Sequence, residues 1–216
     1  MNPLLLGIDG LSYSSFMKCN PRTLFTLFNS TYRGVILNKK PQFPWTSWMS
    51  VLNLKEIKES YETDLNLEKP KLIKDTDAIA LNIPISNPTY GYLSLPYDES
   101  ISAEEEVNKV LQAISDTIEN KPVIAAITAI DRLLHKNNVD KCKIYALIDS
   151  AVRKIISKVD DFIIFSIYGE PRGKDEGDHE DYGVFLATIP RPSEHDTIKL
   201  QEIGELFIKL VKKEYY

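Results

Sequence analysis

Leu4-Leu5-Leu6-Gly7-Ile8-Asp9-Gly10 is a short apolar run that ends on one carboxylate followed at once by a glycine. A run of this length bounded by turn residues has the pattern of a buried strand, although periodicity alone does not separate it from buried helix. On a strand, Asp9 stands at the carboxyl end, the edge where open α/β sheets bind ligands. It is therefore a candidate metal ligand or nucleophile, and an Asp capping the next turn or helix is the competing reading.

Working outward, strand-like and helix-like segments alternate. Pro21 to Phe28 carries Leu24, Leu27 and Phe28 at helical spacing, Gly34 to Leu37 reads as a strand, and Thr46 to about Leu54 reads as a helix. Lys55 to Asp77 is a polar connection without a clear period, and Ala78 to Ile83 is a strand that runs into a loop punctuated by Pro84, Pro88, Gly91 and Pro96. Ser102 and Glu105 have capping-box spacing ahead of an apolar stripe from Val107 to Ile118. Val123 to Ile130 is a buried strand, Ile144 to Ile155 a helix, Phe162 to Tyr168 a strand, Gly183 to Ile189 a last strand and Leu200 to Val211 a closing helix. The expected class is α/β: a doubly wound, mostly parallel sheet with helices on both faces, in a single domain over residues 1–216.

The totals narrow the function classes. Over 216 residues, 43% hydrophobic and 26% charged content suits a globular core rather than disorder. A net charge of -5 argues against broad affinity for nucleic acid or anionic membrane, which needs clustered Lys and Arg. No apolar run has the length of a membrane span or of a secretory h-region with a basic flank. The two cysteines, Cys19 and Cys142, lie far apart in sequence without Cys-x-x-Cys spacing, which reads as reduced thiols in a cytoplasmic protein.

Polar groups collect at strand ends: Asp9, then Asp131 and His135 after the Val123 strand, and His179 before the last strand. Carboxylate oxygen and neutral imidazole together suit a zinc-like ion, which polarises phosphoryl oxygens or generates hydroxide. The blander readings are an i, i+4 surface pair for Asp131 and His135 and a solvated charge run around His179. His195, between Glu194 and Asp196, reads as a helix-terminus residue rather than a ligand.

In order along the chain, Leu4 to Leu11, Pro44-Trp-Thr-Ser-Trp48, Asn82-Ile-Pro-Ile-Ser-Asn-Pro88, Asp131-Arg-Leu-Leu-His135 and Asp178-His-Glu-Asp-Tyr-Gly-Val-Phe-Leu186 resemble the alkaline phosphatase superfamily, its type I phosphodiesterase and nucleotide pyrophosphatase branch above all. The resemblance implies two metal ions at the carboxyl ends of the strands and a phosphorylated Thr or Ser. One ion would take Asp131, His135 and His179. The other would take Asp9, the hydroxyl nucleophile and an Asp-His pair, but the family's Ser-Asp-His-Gly tetrad reads Ser166-Ile167-Tyr168-Gly169 here. The nucleophile position falls on Pro41 or Gln42, and the nearest hydroxyl, Thr46, matches a helix residue behind it.

Two functions follow as expectations. One is a protein of this fold with reduced or lost phosphoester hydrolysis, retained to bind a small phosphorylated ligand or a protein partner. The alternative is an active phosphoester or phosphodiester hydrolase with one ion, zinc or manganese, at Asp131, His135 and His179, and Asp9 as further ligand or base. A haloacid dehalogenase-type phosphatase requires a second Asp two residues after the first, where Leu11 stands, and a receiver domain requires an acidic neighbour that Asp9 lacks.

Overall fold

The computed structural model describes residues 1–58, 69–135, 139–175, 177–190 and 197–214, so His195 lies outside the described residues. In chain order the first elements are β1 (Leu4–Ile8), α1 (Tyr13–Cys19), α2 (Arg22–Ser30), β2 (Tyr32–Leu37), α3 (Pro44–Asn53), α4 (Lys71–Thr76) and β3 (Ile79–Leu81). They are followed by α5 (Ala103–Thr117), β4 (Val123–Ile127), α6 (Ala129–Leu134), α7 (Lys141–Ile156), β5 (Phe162–Phe165), β6 (Tyr182–Ala187), β7 (Thr197–Ile198) and α8 (Leu200–Lys212). All seven strands form one sheet in the order β3-β4-β1-β5-β6-β2-β7.

β1 is central, pairing in parallel with β4 on one side and β5 on the other. Its successive side chains point to opposite faces, so Leu4, Leu6 and Ile8 join one apolar cluster and Leu5 the other. The first cluster is closed by α1, α2, α5 and α7 through residues such as Phe16, Leu24, Val110 and Ile148. The second is closed by α3, α4 and α8 through Trp48, Leu72 and Phe207. This is the doubly wound, mostly parallel sheet with helices on both faces. The Ser102 cap is formed as its spacing predicts, its Oγ accepting from the Glu105 N–H at 3.1 Å.

Gly7 interrupts β1 for a steric reason, since a Cβ there would stand 2.2 Å from Trp48 Cζ2. The indole of α3 can lie flat on the strand only at that gap. Strand boundaries differ from the apolar runs at one useful place. The run Val123 to Ile130 is strand only to Ile127, and Ala129 and Ile130 already belong to α6. Apolar content alone does not mark that break.

β6 runs antiparallel to both of its neighbours. Its first residue therefore sits at the carboxyl edge of β1 and β4, and the segment just before it, with His179, arrives at the same edge as Asp9 and Asp131. In an all-parallel sheet His179 would lie at the opposite edge.

The reading of Cys19 and Cys142 as reduced thiols is corrected. They form a disulfide that joins the last residue of α1 to the first turn of α7, across a Cα–Cα distance of 5.0 Å. Spacing in sequence could not reveal this, because α1 and α7 meet only through the tertiary packing of the first apolar cluster. With both cysteines in a disulfide, cysteine usage no longer points to a reducing compartment. No described helix is long and apolar enough to cross a membrane.

Cross-linking across a sequence separation of 123 residues restricts the unfolded chain strongly. The paired substitution Cys19→Ser and Cys142→Ser should lower unfolding free energy by about 2–5 kcal/mol in denaturant titrations, with no change in far-UV circular dichroism of the native protein.

Candidate metal centre

Asp131 enters on the first turn of α6, immediately after β4. Its backbone N–H donates to the Asp9 carbonyl at 3.2 Å, and Gly10 turns the chain there at φ +84°, where a side chain would press within 3.0 Å of that same nitrogen. A buried polar hub holds the start of α6 in place. Glu106 Oε1 accepts from the Thr128 N–H and hydroxyl, each at 2.7 Å, and from Asn82 Nδ2 at 2.9 Å. Its Oε2 pairs with Arg132 Nη2 at 3.0 Å, while Arg132 also donates to the Asp98 and Ile101 carbonyls. These bonds satisfy both Glu106 oxygens and both terminal nitrogens of Arg132, its Nε alone having no partner among the described residues, and the pair anchors the loop after β3 to the helix carrying Asp131.

The Asp131 carboxylate is almost fully buried. Its Oδ1 stands 2.7 Å from His179 Nε2 and 3.5 Å from His135 Nε2. Its Oδ2 accepts from the Tyr97 hydroxyl at 2.8 Å and the Tyr168 hydroxyl at 3.0 Å. Burial by itself would raise its pKa, but hydrogen bonds from His135 and His179, the His179 charge and the Tyr97 hydrogen bond outweigh it and hold the carboxyl well below the usual range. Burial, and then the Asp131 charge, push both phenols well above theirs, so Tyr97 and Tyr168 act as neutral donors.

The two imidazoles are positioned from opposite sides. His135 Nδ1 lies 2.9 Å from the Gly173 carbonyl, which turns Nε2 toward Asp131 in the manner that outer partners orient a ligating histidine. The His179 backbone N–H donates to Gln42 Oε1 at 2.9 Å, and its ring is stacked on Tyr168 with centroids 3.7 Å apart. His179 Nδ1 is buried with no hydrogen-bond partner among the described residues.

Asp131, His135 and His179 each offer a ligand atom, and these atoms lie within 4.8 Å of one another. Around an ion with bonds of about 2.0–2.2 Å, tetrahedral ligand atoms stand roughly 3.4 Å apart. Asp131 Oδ1 and His135 Nε2, at 3.5 Å, already match that separation. His179 Nε2 is nearer, at 2.7 Å, which is hydrogen-bond distance. One carboxylate and two imidazoles fit a divalent, zinc-like ion.

Asp9 and Thr46 are not in this group of three. Asp9 is fully buried, and Trp48 Nε1 donates to its two carboxylate oxygens at 2.9 and 3.2 Å. Burial holds its carboxyl well above the ordinary range, with Asp131 and Glu106 adding to the rise and the Trp48 hydrogen bond opposing it. Thr46 lies two residues before Trp48 on α3, roughly 200° away around the helix at 100° per residue, and borders a separate cavity. Gln42, buried behind the centre, donates to the Asn38 carbonyl at 2.8 Å and braces His179. In the Ser166–Gly169 tetrad, Ile167 joins the second apolar cluster, Tyr168 holds Asp131, and the Ser166 hydroxyl accepts from the Leu11 N–H at 3.0 Å. Sequence reasoning missed Glu106, Arg132, Tyr97 and Asn82. Only the charged Glu106 on an otherwise apolar helical stripe could have signalled a buried partner.

No protein-family pattern matches the sequence, and no curated protein matches it. Solved structures do. TAB5 alkaline phosphatase, in a mutant form with magnesium bound, superposes with a TM-score of 0.61 at 11% identity, over 98% of this chain and 97% of that one. Human ectonucleotide pyrophosphatase/phosphodiesterase 5 gives 0.60 at 11% identity, over 98% and 95%. The PH0037 protein of Pyrococcus horikoshii gives 0.57 at 13% identity, over 98% and 97%. The chain thus has the alkaline phosphatase-like fold.

A carboxyl whose pKa is raised in the folded state binds more protons there than in the unfolded chain, so stability falls as pH rises from the unfolded value near 3.8 toward the folded one. Asp9→Asn removes that dependence and keeps an acceptor for Trp48. In chelator-containing buffer its stability relative to the parent should therefore increase steadily as pH is raised from mildly acidic to neutral, by about 1.4 kcal/mol per unit at most. Equal stability of the two proteins at every pH would show that Asp9 is not held as an acid.

Proposed function

We propose that this chain is an alkaline phosphatase superfamily protein, phosphodiesterase- and nucleotide pyrophosphatase-like, that binds one divalent ion at Asp131, His135 and His179 and has reduced or lost phosphoester hydrolysis. The observation that carries the reading is the indole of Trp48 seated on Asp9. Covalent phosphoryl transfer needs a hydroxyl nucleophile and charge neutralisation on attacking and leaving oxygens. Asp9 is the one residue left for the second metal of such a mechanism, and its oxygens are occupied by an N–H donor and excluded from water. The positions of the other ligands hold Ile167 and Tyr168, and Gln42 at the nucleophile position is committed to bracing His179.

A bound zinc or manganese ion would supply Lewis acidity toward a phosphoryl oxygen or a water molecule. The chain's own part is to hold it. Asp131 is kept ionised by its hydrogen bonds, Tyr97 and Tyr168 fix the oxygen turned away from the histidines, and the Gly173 carbonyl sets His135. Ile167 and Tyr168 exclude water on the β5 side, which leaves the His135 side as the approach. A small phosphorylated ligand is the partner that this arrangement suits.

The second reading, an active single-metal phosphoester or phosphodiester hydrolase with Asp9 as base, is favoured by the convergence of the three donors and by the 12% exposure of the His135 side chain. Under either reading a cytoplasmic location requires a setting in which the Cys19–Cys142 bond persists, such as the disulfide-tolerant cytosol of hyperthermophiles.

Zinc content and hydrolysis of a chromogenic phosphodiester separate the readings. The parent should hold one zinc per chain, His135→Ala and His179→Ala should hold none, and turnover should be at background with zinc or manganese. Metal content unchanged in both histidine variants would overturn the metal assignment. Robust turnover abolished by Asp9→Ala would establish the hydrolase instead.

A further inference from the structure

A second concave site lies on the far side of α3 from Asp9. It has a volume of about 580 Å³, within the range of small-molecule pockets, and it shares no residue with the candidate metal centre. It opens at the carboxyl end of β2, between the first turns of α3 and α8. Among the described residues its wall carries Lys39, Lys40, Lys58 and Lys199 against the carboxylate of Glu56. Lys58 is paired with Glu56 at 3.6 Å and Lys40 with Asp178, whereas Lys39 and Lys199 have no ion pair among the described residues. In a chain of net charge -5 this is a local excess of positive charge facing a cavity.

Three hydroxyls border the same space, and two are already used. Ser47 Oγ accepts from Asn38 Nδ2 at 2.9 Å, and Ser50 Oγ donates to the Thr46 carbonyl at 2.9 Å and accepts from the Ile57 N–H at 3.0 Å. Thr46 is 8% exposed, and its Oγ1 is buried with no hydrogen-bond partner among the described residues. A buried hydroxyl left unpaired is unfavourable unless a ligand or water meets it. Leu200 and Gln201 bring the amino-terminal end of the thirteen-residue α8, and Thr46 and Ser47 that of the ten-residue α3. The first turn of α8 already carries the Glu202 carboxylate, which accepts from the Lys199 N–H at 2.6 Å, and α3 begins on Pro44, so the lysines rather than the helix ends carry the attraction for an anion.

We infer that this cavity binds a phosphorylated small molecule. Ammonium groups are compact point charges suited to phosphate. Lys39 and Lys199 would supply the main charge, and Thr46 a neutral hydrogen bond. Pro41 lines this cavity while the adjacent Gln42 braces His179, so the two sites share one short segment without sharing ligands.

Isothermal titration of the full chain with inorganic pyrophosphate tests the inference, with citrate as the carboxylate comparison. Saturable pyrophosphate binding should weaken at least tenfold in the double variant Lys39→Gln and Lys199→Gln and severalfold in Thr46→Val. It should be unchanged by chelator or by His135→Ala. No binding at millimolar pyrophosphate, binding unaffected by the lysine variant, binding lost with chelator, or equal affinity for citrate would each overturn it. Zinc lost with pyrophosphate binding intact would count against the metal reading alone, so the two proposals fail separately.

Discussion

The structure turns on the contact between Trp48 and Asp9. The indole needs the gap at Gly7 to lie against the central strand, and at its far end the ring N–H meets a carboxylate that has no access to water. One side chain thus fills the second apolar cluster and satisfies the most deeply buried acid at the sheet edge. A charged group so placed is tolerable only when paired or protonated, and the raised pKa of Asp9 together with the indole hydrogen bond meets that condition.

Around Asp131 the same carboxyl edge behaves in the opposite way. Two imidazoles and two phenols converge on one carboxylate and hold it ionised, so adjacent acids at one edge have opposite proton affinities. The difference lies in donors: Asp9 receives one neutral N–H donor, Asp131 receives four groups. Environments that push neighbouring carboxyls apart suit them to different work: Asp131 stands in a group that could hold an ion, and Asp9 pairs with Trp48 in the core. Glu106 and Arg132 act from below, fixing the loop that delivers Tyr97 and the helix that delivers Asp131.

Much of this was legible in the residues. The strand at Leu4, the capped helix at Ser102, the α/β alternation and the grouping of Asp131, His135 and His179 all follow from local pattern and from the order of motifs. Less visible were α1, too short and serine-rich to show a period, and α4, inside a polar connection. The split between β4 and α6 was hidden by an unbroken apolar run, and the Cys19–Cys142 bond by its sequence separation.

Sequence alone determined which residues offer metal-binding groups: the carboxylates and histidines at strand ends, and the absence of a hydroxyl at Pro41 and Gln42 and of the family's Asp-His pair at Ile167 and Tyr168. Those are matters of residue identity and survive any arrangement of the chain. Tertiary structure decided which of them meet. The reversed direction of β6 brings His179 to the edge of Asp131, and the packing of α3 on β1 turns Trp48 onto Asp9 and Thr46 away from it. Both depend on strand order and helix rotation, which are set by contacts between residues distant in sequence, 48 apart for His179 and Asp131 and 39 apart for Trp48 and Asp9.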